Sequence, residues 1–272
     1  MNELALQRKS LGFFRETNAI ITIVARDVVL ALKSPGMIIM SLAMPLMMMG
    51  LLGGSLSQNM AGGLAFNYGQ FMLVGMLVNM LFMMTTMGLT SLVDDHETDF
   101  TQEMMISPVS RYSIVIGKIM GSAFGAIISM FGTLVVGLVM GYTLSLVQWL
   151  MIIALAPLMC LSAGAFAMIL FGVIKSNKVA NMTAMLITLP QMFLSGVLIP
   201  ISNSSGILLV LNRMMPMTYC LDLVRSVIYK GTPEYDSVVL FNPAINLLVI
   251  VVLTIAFLII GTFLFARSEK HK

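Results

Sequence analysis

Four carboxylates, Asp94, Asp95, Glu97 and Asp99, fall within six residues, with His96 among them. Acidic groups crowd nowhere else in the first 200 residues, so this is the first place to look for acid–base or metal chemistry. A divalent cation would find oxygen ligands and one imidazole there. The paired histidines of H-E-x-x-H are missing, however, and the second histidine, His271, lies beside the C-terminus. The group therefore reads as a solvated acidic face at a helix end, and no metal site is expected. Nucleotide chemistry is equally unsupported. No G-x-x-x-x-G-K-S/T is present, and Gly117-Lys118 lacks both the preceding glycine and the following hydroxyl residue. No cofactor is expected on this chain. If ATP drives it, ATP and Mg sit on another chain.

The elements that must position these residues are greasy. The chain is 58% hydrophobic and only 10% charged, against about 25% charged in soluble domains. There is too little polar surface to coat a globule, so most of the chain must face lipid. The 28 methionines are scattered over every apolar run, which suits adaptable helix packing better than a copper site. Cys160 and Cys220 stand far apart in apolar surroundings and read as buried thiols. The net charge of +3 reflects membrane topology, and no nucleic-acid partner is implied. No short apolar core with a small-residue cleavage site marks a signal peptide.

Residues 1–34 form the first unit. Arg8, Arg15, Thr22, Arg26 and Lys33 fall near one line of a helical wheel, opposite Ile20, Val24, Val28 and Ala31. That pattern predicts an amphipathic helix in the headgroup layer. Residues 35–272 form the second unit. Crossing the bilayer takes about 20 apolar residues, and six spans are expected at about 35–56, 69–93, 113–142, 147–174, 179–201 and 243–266. Residues 202–242 are half apolar and read as a re-entrant or interfacial hairpin, with an amphipathic helix from 212 to 230. The predicted class is an all-α integral membrane protein with six transmembrane helices.

Orientation follows from the basic residues of short loops. With both termini inside, twelve Lys and Arg lie on the cytoplasmic side and three, Arg213, Arg225 and Lys230, lie outside. Spans one, two, four, five and six have no charged residue in their interiors. An ion-coupled carrier would need one, so an external energy source is expected. Lys118, near the cytoplasmic start of span three, is expected to snorkel to the interface. Gly117, Gly121 and Gly125 on the same span suit close helix packing within the chain.

Residues 94–118 link spans two and three. Asp99 and Gln102 resemble a capping box, a helix would run to Ile106, and Pro108 would end it. Ser110 can then cap span three. Met104, Met105 and Ile106 are out of place facing water. Either they fill a groove on a cytoplasmic partner or they dip back into the bilayer interface.

This stretch resembles the loop of ABC type-2 transporter permeases, D/E-R-E-x-G-T-x-x-E/Q-L/M-L-V-x-P-x-S-R. Here it runs from Asp95 to Arg111, with His96, Asp99 and Phe100 standing where the pattern has Arg, Gly and Thr. A second match is S-G-x-x-x-P at residues 195–200, followed by P-x-x-Y-x-x-D-x-x-R at residues 216–225. The order and spacing of the resemblance cover about the whole chain.

The resemblance implies a permease subunit that docks a separate cytoplasmic ABC ATPase and works as a dimer with a second copy or a paralogue. Asp95, Glu97, Asp99, Glu103, Met104, Met105, Ile106, Pro108 and Arg111 would form the coupling element. Arg15, Arg26 and Lys33 would belong to the interfacial helix, and Gly196, Pro200, Pro216, Tyr219, Asp222 and Arg225 to an outer hairpin. Asp222 and Arg225, three apart, would share a helix face and could pair. The expected function is ATP-driven export of an amphipathic or lipid-like substrate across the cell membrane. The alternative is a scaffold or sensor that docks a cytoplasmic partner without transport.

Overall fold

The computed structural model describes residues 2–53, 66–97, 110–201 and 204–270. The described residues are helical or turn, with no strand among them. α1 spans Asn2–Leu32 and α2 spans Pro35–Met47, running on into a π-helical turn, Met48–Gly53. α3 is Tyr68–Gly88 and α4 is Thr90–Glu97. The long helices α5, Arg111–Val139, and α6, Leu146–Phe171, follow. α7 is Asn177–Leu194, α8 is Gly206–Met214, α9 is Pro216–Ile228 and α10 is the short Tyr235–Val238. α11, Pro243–Lys270, ends the fold.

Local chemistry explains the helix starts. Asn67 accepts from the Gln70 N–H at 3.2 Å and opens α3. Ser145 and Gln148 cap each other reciprocally and open α6. Pro35 and Pro216 occupy first-turn positions, where a missing N–H costs nothing. Pro45, Pro157 and Pro190 lie inside helices, as neighbouring helices in a membrane permit.

α3 is the axis of the bundle. Its apolar window is 83% buried, whereas that of α11 is 22% buried. A helix apolar on every side belongs in a core, and α3 has α5, α6 and α9 around it. α11 packs one side on α6 and α9 and leaves Leu248, Val252, Ile259 and Phe263 outward, where lipid would cover them.

Four described helices are long and apolar enough to cross a bilayer, and the pair α8–α9, bent by 80°, is either a broken fifth span or a re-entrant loop. They include the expected second, third, fourth and sixth spans, with shifted ends. Span two breaks at Leu89 and resumes as α4. Of the expected fifth span, only Asn177–Leu194 is helical. The chain then turns through Gly196 at φ +79°, a conformation that favours glycine, so 195–201 leaves the helix. Most of the amphipathic stretch expected over 212–230 is α9, but residues 212–214 belong to α8, which meets α9 at 80°. Pro216 is the reason, because the residue before it, Met215, is held extended at φ −81°, ψ 121°.

Candidate functional site

Charge gathers at the end of the bundle where span two meets span three. The Asp95 carboxylate accepts from both guanidinium arms of Arg26, at 2.6 and 3.1 Å. Its Oδ2 also lies 2.6 Å from Lys118 Nζ. Lys118 reaches Asp27 Oδ1 at 3.2 Å and Ser91 Oγ at 3.3 Å. Three elements are tied here: α1 gives Arg26 and Asp27, α4 gives Ser91 and Asp95, and α5 gives Lys118. Two cations face two carboxylates, and Lys118 and Asp95 are 1% and 2% exposed. Buried charges persist only when paired and hydrogen-bonded like this. The bonds to Asp95 raise the Arg26 pKa, while burial raises that of Asp27 against the pull of Lys118. Beside the quartet, Asn177 Nδ2 on α7 donates to exposed Asp94 Oδ1 at 3.0 Å.

A second tie lies beyond residues 98–109. Both Glu16 carboxylate oxygens lie 3.0 Å from the Ser110 N–H, at the entry to α5. A carboxylate at a helix N-terminus satisfies free donors and complements the helix dipole. Ser110 Oγ accepts from the Tyr112 N–H at 3.3 Å, so the expected cap is present.

These ties share a register. Glu16 and Ser110 are 94 residues apart, and the same offset relates Ile23 to Gly117 and Asp27 to Gly121, which lie in close approach. A constant offset means that both helices advance in the same direction, so α1 runs beside α5 over this stretch. The contacts need glycine: a β-carbon on Gly121 would lie 2.7 Å from Asp27 Cβ. The small-residue stripe is thus intrachain packing at Gly117 and Gly121.

Several expectations are corrected. Lys118 does not snorkel, because its side chain is enclosed between Asp27 and Asp95. Asp95 is not part of a wet acidic edge, since two cations draw it inward; Asp94 remains exposed. Arg26 is turned to Asp95, whereas Lys33 is exposed. The side chains of Arg15, Glu97 and Arg111 lie outside the described residues, as do Asp99, Glu103, Met104, Met105, Ile106 and Pro108. Sequence reasoning missed Glu16 and Asp27. A carboxylate adjoining Arg26 in a cation-rich helix was the available signal for Asp27.

The hairpin residues come together in the core. Asp222 is 1% exposed and Arg225 2%. They do not pair as the three-residue spacing suggested. Asp222 accepts from the Leu240 and Phe241 N–H groups at 2.7 and 2.9 Å and from Asn246 Nδ2 at 2.8 Å. Arg225 donates to the Gly196 carbonyl at 2.7 Å and stacks 3.7 Å over the Phe71 ring. The backbone groups that stop the next helix satisfy Asp222, leaving Arg225 free to tie α9 to the turn after α7. Pro216 opens α9, and the Tyr219 hydroxyl donates to the Arg213 carbonyl at 2.8 Å. Pro200 adjoins the Gly196 turn. Among the described residues, no group of three or more His, Cys, Asp or Glu is placed to hold a metal ion.

A family profile described as ABC-2 type transporter matches residues 18–229. The chain is 26% identical over 135 residues to nodulation protein J of Rhizobium meliloti (strain 1021), covering 48% of this chain and 50% of the relative. It is 27% identical over 138 residues to nodulation protein J of Rhizobium leguminosarum bv. trifolii, covering 50% and 51%. The chain spans about half the length of the curated relatives it matches.

Proposed function

The chain belongs to the ABC-2 type transporter family, and from that premise we propose that it is the permease subunit of an ATP-driven exporter. The family is one of membrane components that work with a cytoplasmic ABC ATPase. In our reading the chain lies in the cell membrane with both termini in the cytoplasm. It pairs with a second copy or a paralogue and carries an amphipathic or lipid-like substrate outward.

One observation carries this reading: α1 holds the chain on both sides of residues 98–109. Arg26 grips Asp95 before the segment, and Glu16 holds the Ser110 N–H after it. The described residues on either side, Asp95 and Ser110, are thus both held to one long helix. Force from a docked ATPase would pass into α1 and α5 together, and from α5 into α3 and α6, which pack on it. Residues 98–109 are thus the lever, α1 its brace, and the α8–α9 hairpin the far end of the path. Apolar cargo fits a bundle whose described inner charges are each held by hydrogen bonds or ion pairs within it.

The test is co-purification with the ABC ATPase encoded beside it, followed by transport in vesicles. Glu97→Ala with Glu103→Ala should lower both ATPase recovery and ATP-dependent transport. If assembly and transport survive that double change intact, the coupling role fails.

A further inference from the structure

A cavity of about 290 Å3 opens beside the charge quartet. It lies between α1, the α3–α4 junction, α5 and α7. Asp27 and Asp94 put carboxylates on it, and Asn177 and Asn181 add amides, but no Lys or Arg lines it among the described residues. Leu30, Ala31 and Met87 give it an apolar wall. Exposed Leu30 and Asn181 mark its opening.

Asp27 supplies the decisive detail. It is only 9% exposed, and Lys118 takes its Oδ1. Its Oδ2 has no hydrogen-bond donor among the described residues and points toward the Gly121 position on the cavity wall. That oxygen, on a residue otherwise enclosed, is open to a donor from a ligand. The cavity is too large for a bare metal ion, and no metal-holding group was found among the described residues.

We propose that this cavity binds the ammonium group of a small alkylamine, with its N–H donors on Asp27 and Asp94 and its alkyl part against Leu30 and Met87. A primary ammonium is favoured over a quaternary one because the acceptors need N–H partners. Asp27 then divides its carboxylate between Lys118 and the ligand, so occupancy bears directly on the clamp that joins α1 to α5. The same ammonium chemistry is offered by a free amine and by a phosphatidylethanolamine headgroup. Binding is a property of this chain alone and is measured without an ATPase. Its failure would leave the transport reading standing, and failure of transport would leave the cavity's ligand standing.

The experiment is calorimetric titration of n-butylammonium into the full chain in phosphatidylcholine nanodiscs, with n-butanol and tetramethylammonium as controls. Saturable binding at least tenfold tighter than either control is expected. Asp94→Asn, an exposed and structurally mild change, should weaken it tenfold or more, as should the cavity-filling Gly125→Leu. Asp27→Asn should do the same, but because Asp27 also serves the clamp, the first two variants decide. Binding no tighter than butanol, or unchanged in both Asp94→Asn and Gly125→Leu, overturns the proposal. Loss of butylammonium binding when phosphatidylethanolamine is added to the disc supports a lipid headgroup as the source. Unchanged binding supports a free amine.

Discussion

Asp95 is the residue on which the most depends. It neutralises Arg26 and Lys118 at once, and Lys118 has no exposed surface to retreat to. Removing one partner of a buried ion pair costs up to about 3–5 kcal/mol, and here Asp27 still holds Lys118. Asp95→Asn should therefore lower the melting temperature of the purified chain substantially. The neighbouring exposed carboxylate gives the control: Asp94→Asn should cost under about 1 kcal/mol, the range of surface interactions. Equal losses in a thermal-shift series would refute this division. At the other cluster, Asp222→Asn keeps a side chain of the same size but loses charge-assisted bonds from Leu240, Phe241 and Asn246. The expected loss is about 1.5–3 kcal/mol, the scale of one hydrogen bond to a charged group. Arg225→Lys should also destabilise, since an ammonium cannot stack flat on Phe71 and reach the Gly196 carbonyl in the same way.

Among the elements, the pairing of α1 with α5 is the most open to test. The close approach at Gly121 leaves no room for a side chain against Asp27. Gly121→Leu should separate the helices at a cost of about 1–3 kcal/mol or more. Introduced cysteines at Glu16 and Ser110 should be joined by a short bismaleimide, and the product should fall in the Gly121→Leu background. The native thiols will not confuse the readout, because Cys160 and Cys220 are buried. Cross-linking that survives the substitution would show that the 94-residue register does not depend on this contact. Much of the element pattern was legible in advance. Apolar length marked the second, third, fourth and sixth spans, and Ser110 sits where a helix cap is favoured. The partners were not legible. Periodicity says which residues share a face of one helix and nothing about which helix that face meets. Lys118 therefore looked free to reach the interface, and Asp27 was lost behind the cationic stripe. Pro216 was visible all along, and its effect on Met215 could have divided the amphipathic stretch in two.

At the scale of the whole molecule, the described charges inside the bundle fall into two groups. Arg26, Asp27, Asp95 and Lys118 form one, and Asp222 with Arg225 form the other. Between them no described core residue is charged: Phe71, Met76, Leu77, Met80 and Leu81 of α3 are almost fully enclosed. Each group contains as many positive as negative side chains. A charge carried alone across the membrane couples to voltage by about 2.3 kcal/mol for every 100 mV. A cluster that moves as a unit and sums to zero does not couple at all. These two described groups should therefore add no voltage dependence of their own. With a neutral substrate, the proposed ATP-driven turnover in vesicles clamped at opposite potentials should be the same. A steep voltage dependence would mean that the charges of one group part during the cycle and move separately.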